Sequence, residues 1–316
     1  MIDPRLRVLR VVAERGTISA AAADLGYTPS AVSHQLRTLA RDVGVRLLEP
    51  DGRNVRLTLA ARTLIGHTDE LLARWEEIRG EVQRAGGGGS LGQLRLAGFS
   101  TAASVLLPPV AAASRAAFPD SVVQITEADP EVCFELLLAE QVDLAVVVGT
   151  DPLPATNDGR FEQRPLLSDT LDLLVPSGHR LAEADGVTLA DAAGEEWIMD
   201  RPGKPYHQLT VSACTAAGFT PSHAHRAVEW DTGAALVSAG LGVALIPRLA
   251  RLPAGSDLVR VELHGRDAPV RHVRTSVRRG TSDQPEIRLA LNELRRVAAS
   301  VASPGRATYH QESLDV

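Results

Sequence analysis

The sequence lacks the features that mark membrane-spanning, disulfide-bonded and zinc-binding proteins. No apolar run approaches the ~20 residues that a membrane-spanning helix needs. Only two cysteines, Cys133 and Cys214, occur in 316 residues, and they lie far apart on apolar helical segments. There is no CxxC motif and no Cys/His cluster with the spacing of a zinc site. We therefore expect buried thiols, no metal ion and no membrane partner.

Patterns typical of secreted proteins and of common hydrolases are missing as well. The opening stretch MIDPRLRVLRVVAERG alternates charges, whereas a signal peptide carries an unbroken apolar segment. The sequence therefore predicts a cytoplasmic protein. Neither HExxH nor GxSxG occurs, and the histidines are scattered. We expect no cofactor and no catalytic residues, although an enzyme remains an alternative.

Charge is distributed unevenly along the chain. Residues 1–62 carry ten Arg and six Asp or Glu, a net charge of +4, whereas the remaining residues carry 23 Lys or Arg and 33 Asp or Glu, a net charge of −10. A small basic head on a larger acidic body is typical of a DNA-reading domain joined to a second function. A +4 segment can also be an ordinary surface.

Helix signals near the amino terminus follow the helix-turn-helix pattern. A first helix ends near Gly16, and a second, Ala-rich helix ends at Leu25. After a tight turn containing Gly26, Thr28 and Pro29 begin a third helix that is predicted to end at about Ala40. Two short helices joined by a short turn containing Gly are the signature of this motif.

The third helix has an apolar side and a side suited to DNA. Val32, Leu36 and Leu39 follow helical spacing and should face a core. The opposite side carries hydroxyl groups that can bond phosphates and an arginine that can contact guanine; a plain solvated face is the alternative. The candidate DNA-binding residues are Thr28, Pro29, Ser30, Ser33, His34, Arg37, Thr38 and, from the next motif, Arg53.

A short hairpin and a long helix follow. Residues 47–57 predict a strand, a turn with Arg53 at its tip, and a second strand, which together form a wing beside the third helix. Apolar or small residues then recur at alternating spacings of four and three positions, at Leu57, Ala61, Leu64, Thr68, Leu71, Trp75, Ile78, Val82 and Ala85. This heptad seam predicts a homodimer; an amphipathic helix packed on its own body is the alternative. Gly86–Gly89 form a predicted hinge.

The stretch GTISAAAADLGYTPSAVSHQLRTLARDVGVRLLEPDGRNVRLT resembles the amino-terminal domain of LysR-type transcriptional regulators, and the helix after it resembles their dimerising linker. The chain departs from the family pattern at Pro29-Ser30, where Gln-Pro is usual, at His34, where Arg is usual, and at Ala61, where Gly is usual. These departures leave the fold assignment intact, but the family's DNA sequence preference does not transfer.

Residues 93–300 alternate strand-like and helix-like segments, including a helix at Ser104–Ala117 and a strand near His225–Glu229, which predicts an α/β body with two lobes and a cleft. Within it, FSTAASVLLP, VDLAVVVG, PSGHRLA and AGLGVALIP resemble landmarks of the same family's periplasmic-binding-protein-like effector domain. The predicted fold is thus an α+β multidomain chain. Its parts are a winged helix-turn-helix domain at 1–57, a linker helix at 58–85, a hinge at 86–92, an effector domain at 93–302 (lobe I about 93–160 plus 264–302, lobe II about 161–263) and a disordered tail at 303–316.

Cleft residues should come from the junctions between strands and helices. Ser100, Thr101 and Ser104 lie at the start of a helix predicted from Ser104, where free backbone N–H groups would favour an anion; simple capping by Ser100 and Thr101 is the alternative. Asp200 and Arg201 could bind an amphoteric ligand together or neutralise each other. The candidate effector-binding residues are Ser100, Thr101, Ser104, Thr150, Asp200, Arg201, Trp230 and Thr232.

The sequence therefore predicts a DNA-binding transcriptional regulator of LysR type. Its expected partners are double-stranded DNA, a second copy of the chain in a dimer or tetramer, and a small-molecule effector between the lobes. An enzyme that uses the cleft and a solute-binding protein are the alternatives, and the second conflicts with the missing signal peptide and with the wing.

Overall fold

Three helices pack around one small core at the amino terminus. In the computed structural model, which describes residues 2–51, 54–86, 92–149, 153–252, 257–265 and 268–302, this head has an Asp or Thr cap before each helix and a glycine at positive φ after it. Such caps satisfy end groups that a helix cannot pair internally. The helices are α1 (Pro4–Arg15), α2 (Ile18–Leu25) and α3 (Pro29–Val43).

The third helix runs three residues beyond its predicted end. Ala40 does not end it, and α3 continues to Val43 because the first residue that adopts the left-handed conformation is Gly44, at φ 79°. On its inner side Val32, Leu36 and Leu39 are buried with residues of α1 and α2, which is the apolar side that the spacing predicted.

A two-stranded wing and a long helix complete the amino-terminal part. Strands β1 (Leu48–Asp51) and β2 (Asn54–Leu57) pair antiparallel, and α4 (Leu59–Ala85) follows directly. The predicted seam on α4 divides into two parts. Ala61 and Thr68 are buried, whereas Leu71, Trp75 and Val82 are exposed.

Lobe I is built on a mixed sheet. The parallel strands β3, β4 and β5 lie side by side, with β3 in the middle, and β5 pairs antiparallel with the late strand β11. Its helices cover both faces of the sheet. The elements are β3 (Gln93–Gly98), α5 (Leu107–Ala117), β4 (Val122–Glu127), α6 (Pro130–Leu138), β5 (Leu144–Val148), β11 (Val270–Arg278) and α9 (Pro285–Ala302).

One 16-residue strand, β6 (Phe161–Pro176), belongs to both lobes. Residues 161–170 of β6 pair with β11 in lobe I, and residues 171–176 pair with strands of lobe II. The chain thus passes between the lobes inside a strand, at Thr170–Leu171. The lobe II elements are β7 (Glu196–Met199), α7 (Pro205–Ala216), β8 (Ser222–Arg226), α8 (Trp230–Ser238), β9 (Ala244–Pro247) and β10 (Leu258–Val261).

Several predicted boundaries in this domain are wrong. The strand expected near 225–229 is β8, which begins at Ser222 because it pairs in parallel with β7 from Glu196 onward. The helix expected from Ser104 begins at Ser100, and a π-helical turn at Ala102–Leu106 precedes α5. Prolines at 108 and 109 lack the N–H groups that would continue the α-helical pattern of hydrogen bonds there.

The predicted hinge, except for Gly86 and Gly92, and the predicted tail at 303–316 lie outside the described residues. Within the described ranges, no helix combines the length and apolarity that crossing a membrane requires.

Candidate functional site

The outer side of α3 is the first candidate site. Thr28 caps the helix, since its hydroxyl accepts a hydrogen bond from the Ala31 amide at 3.2 Å. Pro29, Ser30, His34 and Arg37 are exposed on this side, and Ser33 and Thr38 are half-buried at its edge. Within the described part of the chain, neither His34 nor Arg37 forms an ion pair. The predicted residues of α3 therefore share one accessible face.

The wing packs on the core of the head, where the Val55 amide donates to the Gly16 carbonyl at 3.3 Å, but the structure does not describe its tip. Arg53 falls outside the described residues. At the base, the Arg56 guanidinium donates to Glu49 across the two strands at 2.7 Å, and both side chains are exposed. An exposed pair of this kind contributes little to stability, so Arg56 can exchange Glu49 for a phosphate.

A cavity of about 470 Å³ between the lobes is the second candidate site. Its walls come from the carboxyl end of β3, the start of α6, the segment after β7 and the start of α8. Loops that follow strands meet here from both lobes, which is where α/β folds commonly bind ligands.

Arg271 of β11 lies at the floor of the cavity and is 7% exposed. Its guanidinium donates to Asp169 at 2.8–2.9 Å and to the Thr101 hydroxyl at 2.6 Å, and it lies over the Phe99 ring at 4.9 Å. Burial lowers the pKa of Arg271, and the carboxylate of Asp169 opposes that shift. A buried cation with one carboxylate partner is thus held rigidly where the lobes meet.

An aromatic pair forms the lobe II wall. The rings of Tyr206 and Trp230 meet edge to face, with centroids 4.7 Å apart, and the Tyr206 hydroxyl donates to the backbone carbonyl of Leu245. Burial raises the pKa of Tyr206, so the phenol stays neutral at physiological pH and acts as a fixed wall.

Both charge signs surround the cavity. The acidic residues are more numerous than the basic ones, and one pair bridges the lobes, because the Lys204 ammonium of lobe II lies 3.3 Å from the Asp129 carboxylate of lobe I. The charged lining residues are Glu127, Asp129, Glu131, Asp200 and Glu229 on the acidic side and Arg201, Lys204 and Arg271 on the basic side.

The predicted effector-binding residues divide into three groups. Ser100, Asp200, Arg201 and Trp230 line the cavity. Thr101 is buried behind the wall and reaches the cavity through Arg271. Ser104 and Thr232 are exposed outside the lining, and Thr150 lies outside the described residues.

The sequence reading missed Arg271, Lys204 and Tyr206. Lys204 is the single lysine of the chain, which could have drawn attention to it. Arg271 lies between Val270 and His272 in a strand, and only long-range contacts, such as that with Asp169 102 residues earlier, distinguish it from a surface arginine.

Neither cysteine reaches either site. Cys133 and Cys214 are both fully buried, and burial raises the pKa of each thiol to about 12. Since the thiolate is the reactive form, thiol chemistry is suppressed at both positions. The described residues also contain no group of His, Cys, Asp and Glu arranged to hold a metal ion.

Comparison with known families decides between a regulator, an enzyme and a solute-binding protein. Residues 4–62 match the family model for bacterial regulatory helix-turn-helix proteins of the lysR family, and residues 87–299 match the model for the LysR substrate binding domain. The chain belongs to the LysR family of transcriptional regulators. It is a DNA-binding regulator with an effector-binding domain, and relatives of this LysR chain are named as regulators rather than as enzymes.

Two curated relatives and one solved structure illustrate the likeness. The chain is 29% identical to the probable regulator LrrA of Synechococcus elongatus over 306 residues, which covers 95% of this chain and 99% of LrrA. It is 28% identical to the dual regulator GltC of Bacillus subtilis over 244 residues, 77% of this chain and 79% of GltC. The fold matches full-length CbnR in complex with its target DNA at a TM-score of 0.54, with 22% identity, 94% of this chain and all of that chain covered.

Proposed function

We propose that the exposed face of α3 reads the major groove of an operator and that the wing contacts the adjacent phosphates. The observation that carries this is the helix itself: short polar side chains at its start let the backbone approach base edges, and Arg37 projects without a partner among the described residues. An unpaired arginine can donate two hydrogen bonds to guanine O6 and N7. The proposed contact residues are Thr28, Pro29, Ser30, Ser33, His34, Arg37, Thr38 and Arg53.

A gel-shift titration with the DNA upstream of the chain's own gene tests this. The expected result is sequence-selective binding that weakens steeply with salt, because phosphate contacts release counterions. A scrambled duplex of the same length and composition is the control. Equal affinity for the two duplexes would contradict the proposal.

We propose further that the 470 Å³ cavity binds a small effector that carries both an acidic and a basic group. Arg271 supplies a cation at the floor, and the rim supplies carboxylates such as Asp200 and Glu229 on lobe II. Binding across the cleft would favour closed lobes and so shift the population of head arrangements. Of the predicted residues, Ser100, Asp200, Arg201 and Trp230 supply contacts, and Thr101 orients Arg271.

Thermal unfolding of the full chain with free amino acids, dicarboxylates and diamines tests the cavity. A ligand that binds the folded form alone raises the melting temperature with its concentration. The expected result is that amino acids do so and that Arg271→Met removes the effect. Stabilisation by dicarboxylates or diamines alone would contradict the proposed class.

The third proposal concerns the exposed part of the α4 seam. Leu71, Trp75, Ile78 and Val82 follow steps of four, three and four, and three of these four side chains are exposed. That spacing fits a second copy of α4, as in a coiled coil, and a dimer places two heads on two half-sites.

Light scattering should show a dimer or tetramer for the natural chain and a smaller species for Trp75→Glu, with Glu70→Ala on the same helix as the control.

A further inference from the structure

Four arginines cap the carboxyl end of α6, and two of them come from the DNA-binding head. Four consecutive backbone carbonyls, those of residues 137–140, each accept a guanidinium N–H. Lobe I supplies two of the donors, since Arg278 donates to Leu137 at 3.1 Å and Arg95 to Glu140 at 2.5 Å. The head supplies the other two from α1.

The two head contacts are direct. Arg10 donates to the carbonyl of Leu138 at 3.1 Å, and Arg7 donates to the carbonyl of Ala139 at 2.5 Å. Arg10 is 7% exposed, so its contact is shielded from water. The last carbonyls of a helix are unpaired and carry partial negative charge, and guanidinium groups therefore suit them.

Surrounding ion pairs hold the same two surfaces together. Arg15 of α1 lies 2.8 Å from Glu135 of α6, and Arg7 lies 3.4 Å from Glu140. On the same face of α1 as Arg7 and Arg10, Glu14 accepts from Arg160 of lobe I at 2.9 Å. Helix α6 is thus one of the elements that hold the head on lobe I.

The amino end of the same helix lies at the effector cavity. Asp129, which precedes α6, and Pro130 and Glu131, which begin it, line the cavity. Asp129 also pairs with Lys204 of lobe II. Because both side chains of this pair are substantially exposed, the bond is weak, and a ligand or a lobe movement can make or break it.

We propose that α6 is the element that passes the state of the cleft to the DNA-binding head, with Lys204 acting at its amino end and Arg7 and Arg10 at its carboxyl end. This inference rests on the proposed effector site. A nine-residue α-helix is about 13 Å long and moves as a rigid body. Closure of lobe II on Asp129 therefore displaces the carbonyls to which Arg7 and Arg10 donate. These two arginines are positioning residues, because they bond carbonyls of α6 and lie neither on the exposed face of α3 nor in the cavity lining.

Distance measurements between two spin labels test the coupling in the full chain. Labels at Arg41→Cys on α3 and Arg295→Cys on α9 report the position of the head on lobe I, with labelled chains diluted into unlabelled protein. Both native cysteines are fully buried and should not take label. Lys204→Glu, which repels Asp129, is expected to shift the distance distribution.

Arg226→Glu on β8 of lobe II is the matched control, since it makes the same charge change at an exposed residue that neither lines the cavity nor pairs with Asp129 among the described residues. It should leave the distribution unchanged. The shift caused by Lys204→Glu should also disappear in the Arg7→Ala and Arg10→Ala backgrounds. Arg10 is buried and its replacement can unfold the head, so the more accessible Arg7 provides the second variant.

An equal response to Lys204→Glu and Arg226→Glu, no response to either, or a Lys204→Glu shift that persists without Arg7 would overturn the inference. The distance measurement needs neither DNA nor effector. If no selective DNA binding and no stabilising ligand are found, the proposed function is therefore wrong and the role of α6 can still be judged from the distances. If DNA binding is normal but Lys204→Glu leaves the distance distribution unchanged, only the role of α6 is wrong.

Discussion

Gly280 packs directly against the backbone carbonyl oxygen of Ala73, so that a Cβ built on residue 280 would lie 2.2 Å from that oxygen. The contact joins the turn after β11 to the middle of α4. Two hydrogen bonds lie beside it, from Gln284 to Glu76 at 2.8 Å and from Arg84 to the Asp283 carbonyl at 2.7 Å. One side of the long helix is therefore seated on lobe I, while the side with Leu71 and Trp75 stays exposed.

Replacing Gly280 with alanine should weaken the packing of α4 on lobe I. The residue has φ +84°, a conformation that costs other residues ~1–2 kcal/mol, and the new methyl group would collide with the Ala73 carbonyl. We expect the free energy of unfolding to fall by about 2 kcal/mol or more in chemical denaturation. Gly178→Ala, where a Cβ meets nothing within 4 Å, is the control and should change stability by less than ~0.5 kcal/mol.

Arg37→Ala and Arg53→Ala should weaken DNA binding in different ways. Loss of a base contact from Arg37 should cost ~1–3 kcal/mol on the preferred duplex and relax its preference over a scrambled one. Loss of a phosphate contact from Arg53 should weaken both duplexes alike and reduce the salt slope by about one. Gel shifts at several salt concentrations measure both effects, and Arg296→Ala on α9 is the control. Identical behaviour of the two variants would argue against separate roles.

Asp169→Asn should strongly destabilise the effector domain. Asp169 is 3% exposed and is the carboxylate partner of the buried Arg271. Removing one partner of a buried ion pair leaves a charge without compensation, which costs about 3 kcal/mol or more. Denaturant unfolding measures the change, with the exposed Asp185→Asn as the matched control. A loss below ~1 kcal/mol would indicate that other groups neutralise Arg271.

The two carboxylates beside Arg160 should respond to pH in opposite ways. Burial raises the pKa of Glu14, whereas hydrogen bonding from Arg160 lowers the pKa of Asp158. A raised carboxyl pKa means that ionised Glu14 reduces stability above that pKa; a lowered one means that ionised Asp158 adds stability, which is lost as the pH falls through its folded pKa.

Glu14→Gln should therefore raise the melting temperature at pH 7, and the gain should shrink as the pH falls toward 4. Asp158→Asn should lower the melting temperature at pH 7, and that loss should shrink as the pH falls below about 4. Calorimetry of the two variants and the natural chain from pH 3.5 to 7.5 measures this. A change of the same sign in both variants at pH 7 would contradict the assignment.

Local patterns predicted the head better than the body. The cap at Thr28, the ends of the first two helices at Gly16 and Gly26 and the buried face of α3 depend on neighbours within a few residues, and the structure has them where the pattern placed them. Family matching confirms the predicted fold class and the predicted regulator function. The individual contact residues stay predictions.

Long-range contacts explain what the sequence reading missed. Arg271 meets Asp169 only after β6 and β11 pair, and β10, which the pattern did not predict, is a short strand that pairs with the end of β6. The cap on α6 was equally invisible, because backbone carbonyls accept from Arg7 and Arg10 whatever side chains surround them. Pairing between residues more than a hundred positions apart produces no periodic pattern in the sequence.

The pairing of β5 and β6 with the late strand β11 also determines when lobe I can be completed during synthesis. The first ten residues of β6 and all of β5 need β11 between them, and β11 is made only after the whole of lobe II. While the chain leaves the ribosome, the sheet of lobe I stays incomplete until residues 270–278 are translated, although its first strands are made early. Folding of the effector domain is thus dominated by contacts between distant residues, which are slow to form, and a chain that stops before β11 leaves both of those strand edges unpaired and prone to aggregation.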